Sequence, residues 1–191
     1  MRESWLHIDS QSNMFDFPRY YQAVAESMPD GARLIEVGIS NGRSLIFLAE
    51  ALLNLGKSFR LIGVDNLGYG GTEQLSQIIS NIGKAGLGEH IEFLPMDSLV
   101  ASCKFNDGYF HHVFLDSSHK YQETKQELRC WVKKVLHGRC ISGHDYFSEE
   151  NPGVRQAIDE LIPPDRLITQ QTDLGNGIWS VLKDDNKPLY L

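Results

Sequence analysis

Apolar residues along this chain follow two alternating patterns. Short apolar runs, bounded by glycine, proline or polar residues, predict strands at 34–37, 60–64, 91–94, 111–115 and 139–142. Longer stretches with apolar residues at helical spacing predict a helix that begins after Asp16 and further helices around 45–53, 75–82, 121–136 and 152–161. Strands and helices therefore alternate along most of the chain.

The C-terminal part predicts a hairpin. Runs at 167–172 and 178–182 flank a glycine-containing turn at 173–177 and would pair as antiparallel strands at a sheet edge. With the preceding alternation, this predicts an α/β fold with a Rossmann-like, doubly wound, mostly parallel seven-stranded sheet and a C-terminal antiparallel hairpin. We see no repeat or linker, so we expect a single domain over 1–191 in which 1–30 form an N-terminal helical cover.

Composition narrows the classes of partner. The chain has 191 residues with 18 Lys and Arg against 25 Asp and Glu, a formal net charge of −7. Nucleic-acid binding calls for a basic face, so we expect a small-molecule ligand instead. The N-terminus lacks signal-peptide features and no apolar run reaches the length of a membrane span, so we expect a cytoplasmic protein without membrane contact. A second copy could pair through the hairpin edge or the N-terminal helix.

A tight glycine turn joins the first strand to the next helix. Gly38 and Gly42 allow the backbone to bend and a ligand to approach, while Ser40 lies between them and Ser44 follows in the first helical turn. Backbone N–H groups at such a turn favour polar or anionic ligand groups. The turn reads Glu36-x-Gly-x-x-x-Gly and departs from the G-x-G-x-x-G spacing of NAD sites, so NAD is disfavoured.

Polar residues also follow the second and third strands. Asp65 and Asn66 come directly after strand two, where a carboxylate can accept hydrogen bonds from ribose hydroxyls. Asp97 and Ser98 follow strand three, in a position suited to an adenine amino group. Ligands of such sheets bind at the carboxyl ends of strands, so we expect these residues to share one nucleoside site.

Strands four and five each end in a carboxylate and an imidazole. Asp116 and His119 follow strand four, and His144 and Asp145 follow strand five. Two carboxylates suit Mg²⁺ or another divalent cation, with His144 as a further ligand for a more borderline metal. A bound cation lowers the pKa of a coordinated hydroxyl, and His119 or His144 could then remove its proton.

These motifs, taken in order, resemble a known enzyme class. Glu-x-Gly-x-x-x-Gly, the acidic residue after strand two and Asp97 after strand three resemble class I S-adenosylmethionine-dependent methyltransferases. Asp-x-x-His-x-Tyr from Asp116, Gly-His-Asp-Tyr from Gly143 and the segment 152–160 are similar to the methyltransferase 24 family. That family is related to macrocin-type and catechol-type O-methyltransferases and to cephalosporin hydroxylase-like proteins, and the similarity covers about 20–161.

The resemblance implies an S-adenosylmethionine-dependent O-methyltransferase that acts on a hydroxyl of a small molecule. It implies Asp116 and Asp145 as metal ligands, with His144 beside them, and it places His119 where catechol-type enzymes have a lysine base. The catalytic candidates are Asp116, His119 and His144. The cofactor candidates are Glu36, Gly38, Ser40, Gly42, Ser44, Asp65, Asn66, Asp97, Ser98 and Asp116.

Two other functions stay open on the same scaffold. One is a hydroxylase-like or oxidoreductase enzyme, since one fold hosts many reactions. The other is a binding module whose catalytic site has decayed. This second alternative draws on Ser118, where the family commonly has aspartate, and on Tyr146, where catechol-type enzymes have asparagine.

Overall fold

The strands and helices that the sequence predicts are present in the computed structural model, which describes residues 1–8, 15–187 and 189. The chain divides into two compact units, Met1–Asp97 and Ser98–Leu191. Within the described residues, no helix is long and apolar enough to span a membrane.

The first unit contains three parallel strands and the helices that connect them. Its elements are 3-10 helix Ser4–His7, α1 Pro18–Ser27, β1 Ala32–Val37, α2 Arg43–Asn54, β2 Phe59–Asp65, α3 Gly71–Lys84 and β3 Ile91–Pro95. Strand β2 lies between β1 and β3, with Ile35 of β1 opposite Ile62 of β2 and Leu61 of β2 opposite Ile91 of β3. The two crossover connections contain α2 and α3, as parallel neighbours require.

The second unit contains a parallel pair of strands followed by the antiparallel hairpin. Its elements are α4 Ser98–Ser102, β4 Phe110–Leu115, α5 Tyr121–Lys134, β5 Val135–Gly143, α6 Pro152–Leu161, β6 Ile168–Gln170 and β7 Ile178–Leu182. Strand β4 pairs with β5 in parallel, β5 pairs with β7 in antiparallel orientation, and β7 pairs with β6 in antiparallel orientation.

The strand order confirms the predicted fold class. Over the described residues the order is β3-β2-β1-β4-β5-β7-β6, with seven strands and the antiparallel hairpin β6 and β7 at one end. The chain order reverses after β1, which is the topological switch of a doubly wound sheet. The structure is therefore the Rossmann-like α/β arrangement that the alternating pattern predicts.

One predicted boundary is wrong. The apolar spacing extends helix α5 to residue 136, but the helix ends at Lys134 and Val135 is already extended, with φ −77° and ψ 140°. Val135 pairs with Phe110 of β4, and the register then shifts before His112 pairs with Cys140. Strand pairing thus overrides helical spacing for a β-branched residue. The short helix α4 was not predicted, because five residues carry too little periodic signal.

A buried histidine in β4 makes stability depend on pH. His112 is 1% exposed, and its Nε2 lies 2.9 Å from the Ser142 hydroxyl oxygen of β5. Burial disfavours the charged imidazole and lowers the pKa of His112 to about 3. Below its ordinary pKa of about 6.5 the unfolded chain therefore binds a proton that the folded chain does not.

We expect this difference to reduce the free energy of unfolding as the pH falls from 6.5 towards 3, with a limiting slope of about 1.4 kcal/mol per pH unit. Urea denaturation of the wild type and of His112→Asn across this range measures the contribution. The variant should show a shallower slope, whereas His137→Asn, at an exposed position, should keep the wild-type slope. Equal slopes in the wild type and His112→Asn would contradict the prediction.

Candidate functional site

The glycine turn between β1 and α2 is held by backbone hydrogen bonds, one to β2 and one within the turn. Gly38, Ser40 and Gly42 have φ values of 85°, 48° and 82°, in the left-handed region that favours glycine. The Gly38 amide donates to the Val64 carbonyl at 2.8 Å, and the Gly42 amide donates to the Ile39 carbonyl at 2.7 Å. Gly42 is also the N-cap of α2. The glycine turn therefore leads directly into the N-terminus of the buried helix α2, as the sequence predicts.

Asp65, at the end of β2, binds this turn. Its Oδ2 accepts hydrogen bonds from the backbone amides of Ile39 and Ser40, both at 3.1 Å. Its Oδ1 accepts hydrogen bonds from the Leu67 amide at 2.8 Å and from Nε2 of Gln74 at 3.3 Å. The sequence assigns Asp65 to ribose hydroxyls, but here its carboxylate connects the turn to β2 and α3.

Two amide side chains of α3 support the same turn, and sequence reasoning missed both. Nε2 of Gln74 donates to the Ser40 carbonyl at 3.2 Å, and Nδ2 of Asn81 donates to the Asn41 carbonyl at 2.9 Å. Both side chains are buried, on the face of α3 that also buries Ile78. Their spacing of seven residues on an apolar helix face is the signal that could have identified them.

Glu36 and Ser44 lie beneath the turn. Glu36 is fully buried in β1, and Oε1 of its carboxylate accepts a hydrogen bond from the Ser44 hydroxyl in the first turn of α2. This contact joins the strand before the turn to the helix after it. Both residues are cofactor candidates from the sequence, and the structure places them where they shape the turn.

The other cofactor candidates are more dispersed. Asn66 is exposed, and its Oδ1 accepts a hydrogen bond from the Gly68 amide at 2.9 Å. Asp97 is exposed after β3. Ser98 begins the second unit, and its buried hydroxyl oxygen accepts a hydrogen bond from the Trp131 indole at 3.0 Å. The hydroxyl of Ser98 is thus part of the packing around Trp131.

The second unit brings the four predicted catalytic and metal-binding side chains together. One ligand atom from each of Asp116, His144 and Asp145 lies within 4.8 Å of the others, so these three groups could hold a metal ion. Nε2 of His119 lies 2.9 Å from Oδ2 of Asp145 and 3.8 Å from Oδ1 of Asp116. We call these four residues the Asp-His cluster. They meet because β4 and β5 are adjacent and parallel, as the sequence predicts.

The backbone around Asp145 is held in an unusual conformation. Asp145 has a φ of 64°, a region that non-glycine residues enter at a cost of about 1 kcal/mol or more. The following amides are anchored, since Tyr146 donates to the Gly177 carbonyl at 3.3 Å and Phe147 donates to the Asn176 carbonyl at 2.7 Å. The turn between β6 and β7 therefore holds the backbone that directly follows Asp145.

Charges within the Asp-His cluster shift its proton affinities. The carboxylate of Asp116, and then that of Asp145, raises the pKa of His119 to about 10. Burial alone would raise the pKa of Asp116, but the imidazoles of His144 and His119 outweigh it and lower that pKa. At neutral pH His119 is therefore a cation between two carboxylates, a position that a metal ion could take over.

The two residues that depart from the family pattern bind helices beside the cluster. The Ser118 hydroxyl donates to Glu123 at 2.5 Å, and the Tyr146 hydroxyl donates to Asp159 at 2.5 Å. Burial, and then the Asp159 contact, raises the pKa of Tyr146 to about 12, so its hydroxyl keeps its proton. The third group beside the two carboxylates is accordingly His144, not the residue at 146.

A comparison with known protein families matches the part of the chain that contains both candidate sites. The family model for methyltransferase 24, described as a methyltransferase domain, matches residues 35–146, which include the glycine turn and the Asp-His cluster. The chain belongs to this family. It is therefore a class I S-adenosylmethionine-dependent methyltransferase, as the motifs predict.

Solved structures share the methyltransferase fold at low sequence identity. Cofactor-bound Rv0187 from MTB is 15% identical with a TM-score of 0.72, over 95% of this chain and 87% of that chain. The O-methyltransferase from Bacillus cereus in complex with SAH is 20% identical with a TM-score of 0.68, over 93% and 86%. The tRNA (m1A58) methyltransferase TrmI from Aquifex aeolicus is 15% identical with a TM-score of 0.66, over 95% and 76%. No curated protein matches the methyltransferase.

Proposed function

We propose that this methyltransferase transfers the methyl group of S-adenosylmethionine to a hydroxyl group of a small molecule, with the help of a divalent cation. The observation that carries the proposal is the Asp-His cluster, because it combines metal-ligand groups with imidazole side chains in a chain of the methyltransferase 24 family. The net charge of −7 favours a small-molecule acceptor over a nucleic acid.

The first unit fits a nucleoside cofactor. The glycine turn has open space where a side chain at Gly42 would stand, since no heavy atom lies within 4 Å of an ideal Cβ there. Next to the turn, the buried Oε1 of Gln74 has no hydrogen-bond partner among the described residues. A ligand with hydroxyl or amine donors would satisfy this oxygen. We assign cofactor binding to the turn and to the residues that order it.

The donor set of the second unit fits a divalent cation. Asp116 and Asp145 offer carboxylate oxygens, which suit Mg²⁺ or Mn²⁺, and His144 offers an imidazole nitrogen, which shifts the preference towards the more borderline Mn²⁺. When bound, such an ion lowers the pKa of a coordinated hydroxyl and positions its oxygen.

The chain's own residues would position the acceptor and take its proton. Methyl transfer depends mainly on holding the acceptor oxygen in line with the sulfonium methyl group, so the fixed backbone around Asp145 contributes by limiting motion. His119 lies at the exposed side of the cluster, with 26% of its side chain accessible, whereas His144 is only 5% accessible. This difference supports His144 as a metal ligand. It supports His119 as the proton acceptor once a cation bound to Asp116 and Asp145 lowers the raised pKa of His119 and releases its proton.

Calorimetric titration tests the proposed function in two steps. Purified protein should bind S-adenosylhomocysteine and S-adenosylmethionine but not NAD. It should also bind Mn²⁺ or Mg²⁺, and variants of the Asp-His cluster should bind these cations more weakly. Methyl transfer to a panel of catechols, phenols and sugars should then require the divalent cation. Tight NAD binding without adenosyl-ligand binding would instead support an oxidoreductase, and cofactor binding without turnover on any acceptor would support a binding module.

A further inference from the structure

Helix α6 packs directly against the backbone of the loop 116–120, which carries His119. The helix contains the family-like segment 152–160, which the proposed chemistry does not yet use. A Cβ on Gly153 would lie 2.7 Å from the His119 carbonyl oxygen and 2.7 Å from the Tyr121 amide nitrogen. Both neighbours are backbone atoms, which cannot rotate away as a flexible side chain can. Alanine would suit the helical backbone of α6, so it is this close contact that requires glycine.

A second contact between α6 and the same loop lies seven residues further along the helix. The Glu160 carboxylate accepts hydrogen bonds from the Tyr121 hydroxyl and, at 2.6 Å, from Nζ of Lys125. Nζ of Lys125 also donates to the Tyr121 hydroxyl oxygen at 3.1 Å. Residues seven apart lie on one face of a helix. Gly153 and Glu160 therefore hold the chain directly after His119, one at the backbone and the other at a side chain.

The position of His119 depends on where this loop lies. Its Nε2 is 2.9 Å from Oδ2 of Asp145 and 3.8 Å from Oδ1 of Asp116. A methyl group on Gly153 would have to move from 2.7 Å to the 3.4 Å at which ordinary contact begins, a displacement of about 0.7 Å between α6 and the loop. Groups of a catalytic site must be held within about 0.5 Å of their working positions. The displacement is therefore large enough to disturb His119.

We propose that Gly153 and Glu160 are positioning residues, which hold the backbone at 119–121 so that the His119 imidazole stays between the carboxylates of Asp116 and Asp145. The effect on catalysis rests on the proposed function, in which His119 accepts the proton of the acceptor hydroxyl. The effect on the imidazole position does not, so the two can be tested separately.

The ring signals of His119 test the positioning without any ligand. Long-range ¹H–¹⁵N correlation spectra, assigned with His119→Asn, should show these signals shifted in Gly153→Ala. They should also be shifted in Tyr121→Phe, which removes the hydroxyl that donates to Glu160 and adds no bulk. Gly83→Ala is the matched control, because it adds the same methyl group to helix α3 where no heavy atom lies within 4 Å. Its His119 signals should match those of the wild type.

Methyl transfer from S-adenosylmethionine to catechol in the presence of Mn²⁺ provides the second measurement. The kcat of Gly153→Ala should fall about 10- to 100-fold, the effect of a small misplacement of a reacting group. The affinities for Mn²⁺ and S-adenosylhomocysteine should stay near the wild-type values, because the added methyl group meets only the backbone at 119–121. In a His119→Asn background, Gly153→Ala should change kcat by less than about twofold, since both substitutions act through one imidazole.

A merely structural role of α6 predicts different results. Unchanged His119 signals in both Gly153→Ala and Tyr121→Phe would overturn the proposal, and so would an equal loss of kcat with and without His119. Failure of the wild type to bind S-adenosylhomocysteine would refute the proposed function instead. The ring signals would then still decide whether Gly153 and Glu160 position His119.

Discussion

Asp145→Asn should reduce the affinity for Mn²⁺ by at least about 100-fold and abolish cation-dependent methyl transfer, since it removes one of the two carboxylates of the Asp-His cluster. The fold should survive, because asparagine tolerates the left-handed backbone that Asp145 adopts, with φ 64°. Mn²⁺ affinity by calorimetry, thermal unfolding and S-adenosylhomocysteine affinity should be measured on the same preparations.

Asp173→Asn provides the matched control for this loss of one negative charge. Asp173 is an exposed carboxylate in the turn between β6 and β7, so its variant should bind Mn²⁺ like the wild type. If Asp145→Asn also keeps wild-type Mn²⁺ affinity, the cluster is not a metal site. In that case its carboxylates would serve to hold His119, which lies 2.9 Å from Asp145.

Asp65→Asn should disturb the glycine turn and the cofactor affinity together. The new amide would direct N–H groups at one or more of the backbone amides that now donate to the carboxylate, those of Ile39, Ser40 and Leu67. Losing such charge-assisted hydrogen bonds costs about 2–4 kcal/mol of unfolding free energy. We expect S-adenosylhomocysteine affinity to fall by more than about 100-fold, because the turn is no longer held in its binding conformation.

Urea denaturation measures the loss of unfolding free energy, amide hydrogen exchange reports on the turn, and calorimetry measures the S-adenosylhomocysteine affinity. Exchange at Ile39 and Ser40 should accelerate in Asp65→Asn and stay unchanged in Glu89→Gln, a control at an exposed position of the same unit. Loss of cofactor affinity with unchanged stability and unchanged exchange would contradict the turn-holding role. It would favour the direct ribose contact that the sequence suggests for Asp65.

The Asp-His cluster can be predicted from the sequence because its position depends only on which strands are neighbours in the sheet. Asp116 and Asp145 follow two apolar runs, and parallel neighbouring strands bring their carboxyl ends to one edge whatever the details of packing. The glycine turn is predictable for a similar reason, since Gly38 and Gly42 have backbone angles that glycine adopts most easily.

The hydrogen bonds that hold the glycine turn could not be predicted from the sequence, because they depend on which polar side chains the fold buries. Gln74 and Asn81 look like solvent-facing helix residues until the tertiary structure buries them against the carbonyls of the turn. The backbone and side-chain N–H groups that donate to Asp65 cannot be identified from the sequence either. From the sequence alone, the carboxylate is therefore interpreted as a ligand-binding group. Val135 has helical spacing, yet pairing with Phe110 makes it a strand residue.

The anchoring of residues 146 and 147 by Asn176 and Gly177 affects where this domain can be cut. The family match ends at residue 146, immediately after the last carboxylate of the cluster. The hydrogen bonds that hold the backbone beyond that carboxylate come from the C-terminal hairpin, outside the matched region. A protein shortened at the matched boundary would keep every motif up to Asp145 and lose the hydrogen bonds that hold the backbone directly after it. The functional domain is thus longer than the region by which its family is recognised.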